Sequence, residues 1–91
     1  MNIQFDEAKN RENIAKHGIS LDRAGDMEVL SFIEDDRKDY GETRYRAWGL
    51  IDGLYYCLAF TYRLGDLRAI SLRRAHDKEI SRYVPDRQIE S

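Results

Sequence analysis

Two runs of aromatic and aliphatic residues, Thr43 to Ile51 and Leu54 to Tyr62, meet at Asp52-Gly53, and this junction restricts the fold more than any other part of the chain. A two-residue hairpin turn that follows the twist of its strands needs positive φ at both central positions, and Asp-Gly is among the pairs that accept it. The two runs are therefore expected to pair as antiparallel strands. Gly65-Asp66 turns the chain again, and Leu67 to Arg73 continues the meander. Upstream, Ser31 to Glu34 reads as a strand, followed by a charged loop from Asp35 to Glu42 in which Tyr40 and Gly41 suggest a turn. Asn2 to Phe5 fits a short opening strand.

Three segments carry helical signals. In Asp6 to Ser20, Asp6 is an N-cap, Glu7 favours the positive end of the helix dipole, and Gly18 is a stop signal after Lys16 and His17. Ser20 is a second N-cap, with Ile19 and Ala24 as a hydrophobic staple. Beyond it Leu21, Ala24, Met27 and Leu30 form an apolar stripe at near-helical spacing. Asp77 to Val84 predicts a last helix with Ile80, Tyr83 and Val84 inward and Pro85 ending it. The expected order is β-α-α-β-β-β-β-α, a single α+β domain over residues 1–91 with helices on one face of a small antiparallel sheet.

A chain of 91 residues has room for one compact core and no more. No apolar run approaches the roughly 20 residues needed to cross a bilayer, and the first residues lack a signal peptide's basic start, so a cytoplasmic location is expected. Cys57, the single cysteine, lies in a hydrophobic run and reads as a core thiol. The net charge of -2 hides an asymmetry: residues 1–42 hold six Lys and Arg against eleven Asp and Glu, whereas residues 43–91 hold nine against six. The second half carries the basic potential, and the acidic half either repels RNA or attracts a basic partner.

On the first helix, Lys9, Asn13, Lys16 and His17 follow the i, i+4, i+7, i+8 spacing, which gathers three potential cations on one arc. The other side is thinly hydrophobic, an arrangement suited to handling phosphate more than to building a core. Cleaving RNA without a metal needs a base for the 2'-OH proton, an acid for the leaving 5'-oxygen, and cations for the charged phosphorane. Only His17 and His76 are histidines, and either side chain suits a proton role. Arg63 and Arg73 stand at predicted strand ends, where a guanidinium grips phosphate bidentately; with Arg68 they equally suit edge charges that oppose sheet association. Strict alternation places Arg73 on the face of Ser71, Ala69 and Leu67, with Ile70 and Leu72 opposite. Tyr62 and Tyr45 are the aromatic residues best suited to stacking on unpaired bases. There is no His-x-x-x-His, no cysteine pair and no Gly-rich phosphate loop, so neither metal nor cofactor is expected.

The opening segment resembles that of the BrnT family, toxins of type II toxin-antitoxin systems, whose D-x-x-K-x-x-x-N-x-x-K-H-G pattern falls on Asp6, Lys9, Asn13, Lys16, His17 and Gly18. A second stretch, Arg68 to Tyr83, is similar to the family's closing R-x-I-S-x-R-x-A-T-x-x-E-x-x-x-Y, with His76 in place of Thr. Phe5 stands where the family often has Trp. The resemblance implies a RelE-like fold and a metal-independent endoribonuclease that cleaves RNA and inhibits translation. It further implies a BrnA-type ribbon-helix-helix antitoxin, through which alone operator DNA is bound. On that basis Lys16, His17, Arg63 and Arg73 are the expected catalytic residues, and Lys9, Asn13, Tyr62, Arg68 and Ser71 the expected RNA-binding ones. A corepressor that has lost catalysis is the alternative. At the last helix, His76 leaves half of a Thr-x-x-Glu capping box missing unless Asp77 caps instead.

Overall fold

A computed structural model describes residues 3–37 and 39–85. Asn2, expected to start the opening strand, and Lys38, in the charged loop, lie outside them. The chain forms β1 (Ile3–Gln4), α1 (Glu7–His17), a 3-10 helix (Leu21–Asp26), β2 (Glu28–Asp35), β3 (Arg44–Ile51), β4 (Leu54–Arg63), β5 (Asp66–Arg74) and α2 (Asp77–Tyr83). The strands make one sheet in the order β1-β5-β4-β3-β2. Its long strands are antiparallel, but β1 joins β5 in parallel, so the sheet is mixed where an antiparallel one was expected.

The Asp52-Gly53 hairpin forms as the residues require, with φ of 52° and 79° at its two positions. The next turn sits one residue earlier than expected. Leu64 and Gly65 take the positive φ values, and Asp66 already belongs to β5.

The second helix is not an α-helix. Ser20 caps it as expected, accepting from the Asp22 N–H, but the six residues Leu21–Asp26 close as a 3-10 turn. Leu21 and Ala24 are buried in it, Met27 ends it, and Leu30 falls in β2. Three residues per turn align Leu21 with Ala24 on one side, while Gly25 weakens any continuation as α-helix.

The helices also do not share one face. Leu58 and Cys57 are neighbours in β4 and so point to opposite sides of the sheet. Leu58 packs with Ile19, Leu21 and Ala24, whereas Cys57 packs with Trp48, Ile80 and Val84. The 3-10 helix thus covers one face and α2 the other, held there by Tyr83 stacked on Trp48 at 4.0 Å. Burial pushes the Cys57 thiol up to about 11, as suits a core position.

His76, not Asp77, is the N-cap of α2. The carboxylate half of the capping box is present, with the His76 backbone N–H donating to Glu79 Oε1 at 2.9 Å. Replacing His76 with Thr adds a hydroxyl able to take the reciprocal bond, and is expected to raise stability by roughly 0.5 to 1 kcal/mol in denaturant titration.

Candidate functional site

The candidate site is a groove of about 210 Å³ between α1 and β5, lined by Lys9, Glu12, Asn13, Lys16, His17, Ile70 and Ser71. Its helical wall is set by short-range signals. The Asp6 carboxylate accepts from the Ala8 N–H at 3.1 Å, and Gly18, at φ 71°, closes the helix with its N–H on the Ile14 carbonyl. These caps fix the arc on which Lys9, Lys16 and His17 lie.

What seats that arc against the sheet is Asn13, the one buried residue of α1, only 4% exposed. Its Nδ2 donates to the Leu72 carbonyl at 2.8 Å and to the Ile19 carbonyl at 2.9 Å, and its Oδ1 accepts from the Leu72 N–H at 3.0 Å. β1 is two residues long and pairs β5 only at Leu67 and Arg68, so the edge of β5 beyond it needs another partner. The Asn13 amide supplies the donor and the acceptor that a neighbouring strand would have offered. Asn10 ties the same helix to the 3-10 helix, its Oδ1 accepting from the Leu21 N–H at 2.7 Å.

The sheet wall owes its shape to a bulge. Ala59 faces Ser71 and Phe60 faces Ala69, so Ile70 is an extra residue in β5. Simple alternation fails there. Ala69 joins Leu72 in the core beneath the 3-10 helix, while Ser71 and Arg73 follow Ala59 and Cys57 onto the other face. Arg73 and Ser71 do share a face, as expected, but Ala69 and Leu67 do not share it with them.

The structure brings together five of the residues singled out from sequence: Lys9, Asn13, Lys16, His17 and Ser71. It places the others elsewhere. Arg63 is level with Asp66 and reaches Glu42 at 3.3 Å. Six residues of β5 lie between that level and Arg73, roughly 20 Å of strand, so a single phosphate cannot engage both arginines. Arg73 holds Glu79 in a bidentate pair, both bonds 2.8 Å, and thereby pins α2 to the sheet. Arg68 faces Gln4 of β1 across the parallel pair, and Tyr62 lines a separate apolar groove on the face of Phe60 and Leu67. Tyr45 stacks on Phe60 at 5.3 Å in that same cluster.

Glu12 went unnoticed among the sequence candidates. It lies three residues from Lys9 and four from Lys16, spacings that place it on their side of the helix, and it adds a carboxylate to the groove. Among the described residues, no group of three or more His, Cys, Asp or Glu stands together where it could hold a metal ion. Nor is any helix long and apolar enough to cross a membrane.

Two carboxylates titrate far from their ordinary range. The Arg73 guanidinium holds Glu79 down to about 2, and Arg37 does the same for Asp35, which Tyr40 also contacts. Both lowered values stabilise the fold fully above the ordinary carboxylate range and are lost as pH falls from about 4.5 towards 2. Stability across that window is expected to drop by on the order of 1 to 2 kcal/mol per pair once solvent screening is discounted, read as a falling melting temperature. Glu79→Gln should flatten the part of the drop that belongs to α2.

A family model described as a ribonuclease toxin, BrnT, of type II toxin-antitoxin system matches residues 5–79. No curated protein matches the chain.

Proposed function

Because the chain belongs to the BrnT family of ribonuclease toxins of type II toxin-antitoxin systems, we propose that its α1–β5 groove is where RNA is cleaved, and that the cleavage needs no metal. The observation that carries this reading is the convergence of Lys9, Lys16, His17, Glu12 and Ser71 on one groove, held in place by Asn13. Its charges are those the reaction requires. Glu12 and His17 divide the two proton transfers, one from the attacking 2'-OH and one to the departing 5'-oxygen. Lys9 and Lys16 stabilise the charge that grows on the phosphorane, and the Ser71 hydroxyl orients a phosphate oxygen. Arg73 is a positioning residue through Glu79 and α2, and Arg68 with Arg63 guides the RNA strand from further along the sheet.

We further propose that the chain is a single RelE-like toxin domain acting in the cytoplasm, that cleavage inhibits translation, and that a BrnA-type antitoxin silences it. The α+β sheet with helices on both faces is compatible with that architecture. The purified chain should cut single-stranded RNA in excess EDTA. Activity abolished by chelation and restored by one divalent ion would reject the metal-independent mechanism.

A further inference from the structure

One sheet face is left partly bare. α1 and the 3-10 helix cover the β5 side, but towards β2 an apolar groove of about 260 Å³ remains, lined by Val29, Phe32, Ala47, Leu58, Phe60 and Tyr62, with Ala24 and Leu67 at its margin. Phe32 is 63% exposed and Val29 53%, although both sit on the face that elsewhere forms the core. Tyr62 meets Tyr45 and Phe60 edge-on at 5.7 and 5.6 Å, so the groove ends in an aromatic cluster of the kind enriched at the centres of protein interfaces.

Leu64 stands in the turn between β4 and β5, two residues after Tyr62 and three before Leu67. It is fully exposed and held at φ 54°, a conformation that glycine or asparagine adopts more readily. A leucine there gains nothing for the fold: its side chain packs on nothing and its backbone is strained. Positions that break a local rule without a compensating contact point to a function outside the fold.

On β2, Glu34 shares the face of Phe32, and the segment that borders the groove is acidic as a whole, although Asp26, Asp35 and Glu42 within it are paired with arginines. Residues 22–42, which form the 3-10 helix, β2 and the following loop, carry eight Asp and Glu against three Lys and Arg. RNA phosphate would be repelled from this side, and a second copy of the chain would bring the same excess of negative charge. The chain's own last segment, residues 86–91, offers a single apolar residue, Ile89. A basic, amphipathic protein segment fits where these do not. The groove crosses four neighbouring strands, a span of about 14 Å, which is the length of roughly ten helical residues.

We propose that this groove, with Leu64 in the turn after Tyr62, is the docking surface for a basic amphipathic helix of the antitoxin, resting on the toxin reading given above. The surface lies apart from Lys9, Lys16 and His17, so recognition by the partner and cleavage use different side chains.

The test compares wild type, Phe32→Lys and Leu64→Asn for affinity to the cognate antitoxin by calorimetry, and for RNA cleavage by the toxin alone. Phe32→Lys places a cation before a basic partner and is expected to weaken binding at least a hundredfold while cleavage stays at the wild-type rate. Leu64→Asn should weaken binding about tenfold and leave the melting temperature unchanged or raised, a combination that a purely structural role does not produce. Binding within threefold of wild type for both variants, with cleavage intact, would remove the groove from the interface and leave the toxin reading standing. Loss of cleavage in Phe32→Lys with normal antitoxin binding would assign the groove to RNA. A dimer of the toxin alone that dissociates in Phe32→Lys would assign it to a second copy. Either result overturns the proposal. If wild type neither cleaves RNA nor binds an antitoxin, the functional reading falls and the docking surface with it.

Discussion

Replacing Lys16 and His17 together with alanine is expected to lower RNA cleavage by the isolated chain about a thousandfold or more, and to abolish growth arrest when the chain is expressed without antitoxin. One cation on the phosphorane and one proton donor or acceptor are removed in a single variant, and each such group contributes roughly a hundredfold or more. The fold should barely respond. Both side chains are exposed, and alanine is the best helix former. The expected cost is the loss of the Lys16 charge and the His17 side chain from the helix C-terminus, about 1 kcal/mol or somewhat less in total. Single-turnover cleavage and thermal melting of the same preparation separate the outcomes. Wild-type activity in the double variant would move the chemistry out of the α1–β5 groove. No activity in wild type, beside intact antitoxin and operator binding, would favour a corepressor that has lost catalysis.

Asn13→Ala is expected to destabilise the domain by roughly 3 to 5 kcal/mol, since one truncation leaves the Leu72 N–H, the Leu72 carbonyl and the Ile19 carbonyl without their partner. For a domain of this size that is a large share of the total, at about 0.05 to 0.15 kcal/mol per residue. Expressed at 37 °C, much of the variant should be insoluble or degraded. Asn13→Asp keeps the acceptor for the Leu72 N–H but loses both donors and sets a buried carboxylate against two carbonyls, so its cost should be at least as large. Urea titrations of these variants test the role directly. A stable Asn13→Ala protein with lost RNA affinity would return Asn13 to the substrate-binding set that its place on the helix suggested.

The same contrast separates the two arginines. From their sequence positions Arg63 and Arg73 are equivalent strand-end cations. In the fold, Arg73 is 30% exposed in its side chain and bound to a carboxylate that is 16% exposed, whereas Arg63 is 55% exposed and loosely paired. Truncating Arg73 therefore uncovers Glu79 and loosens α2, so Arg73→Ala is expected to lower stability. Exposed pairs such as Arg63 with Glu42 contribute little to stability, so the fold does not depend on Arg63 as it does on Arg73.

Short-range chemistry alone determined a good part of this protein. The positive φ demanded by Asp52-Gly53, the N-caps at Asp6 and Ser20, and the left-handed stop at Gly18 depend only on residues a few positions apart, and each stands where its residues place it. The cationic arc of α1 follows in the same way, from helical periodicity. Other features depended on partners far along the chain. The bond between Asn13 and Leu72 joins residues 59 apart, and nothing within either segment distinguishes a buried asparagine from a solvent-facing one on a polar arc. The Ile70 bulge arises from how β5 must register against β4, and it alone decides that Ala69 enters the core while Ser71 faces the groove. The opposite placement of α2 rests on Trp48 and Cys57 offering a second apolar face, which alternation in the strands permits but does not require. Local conformational preference is settled within a turn or two of chain, whereas burial and pairing are settled only when distant segments compete for the same neighbours, and the groove is made by that competition.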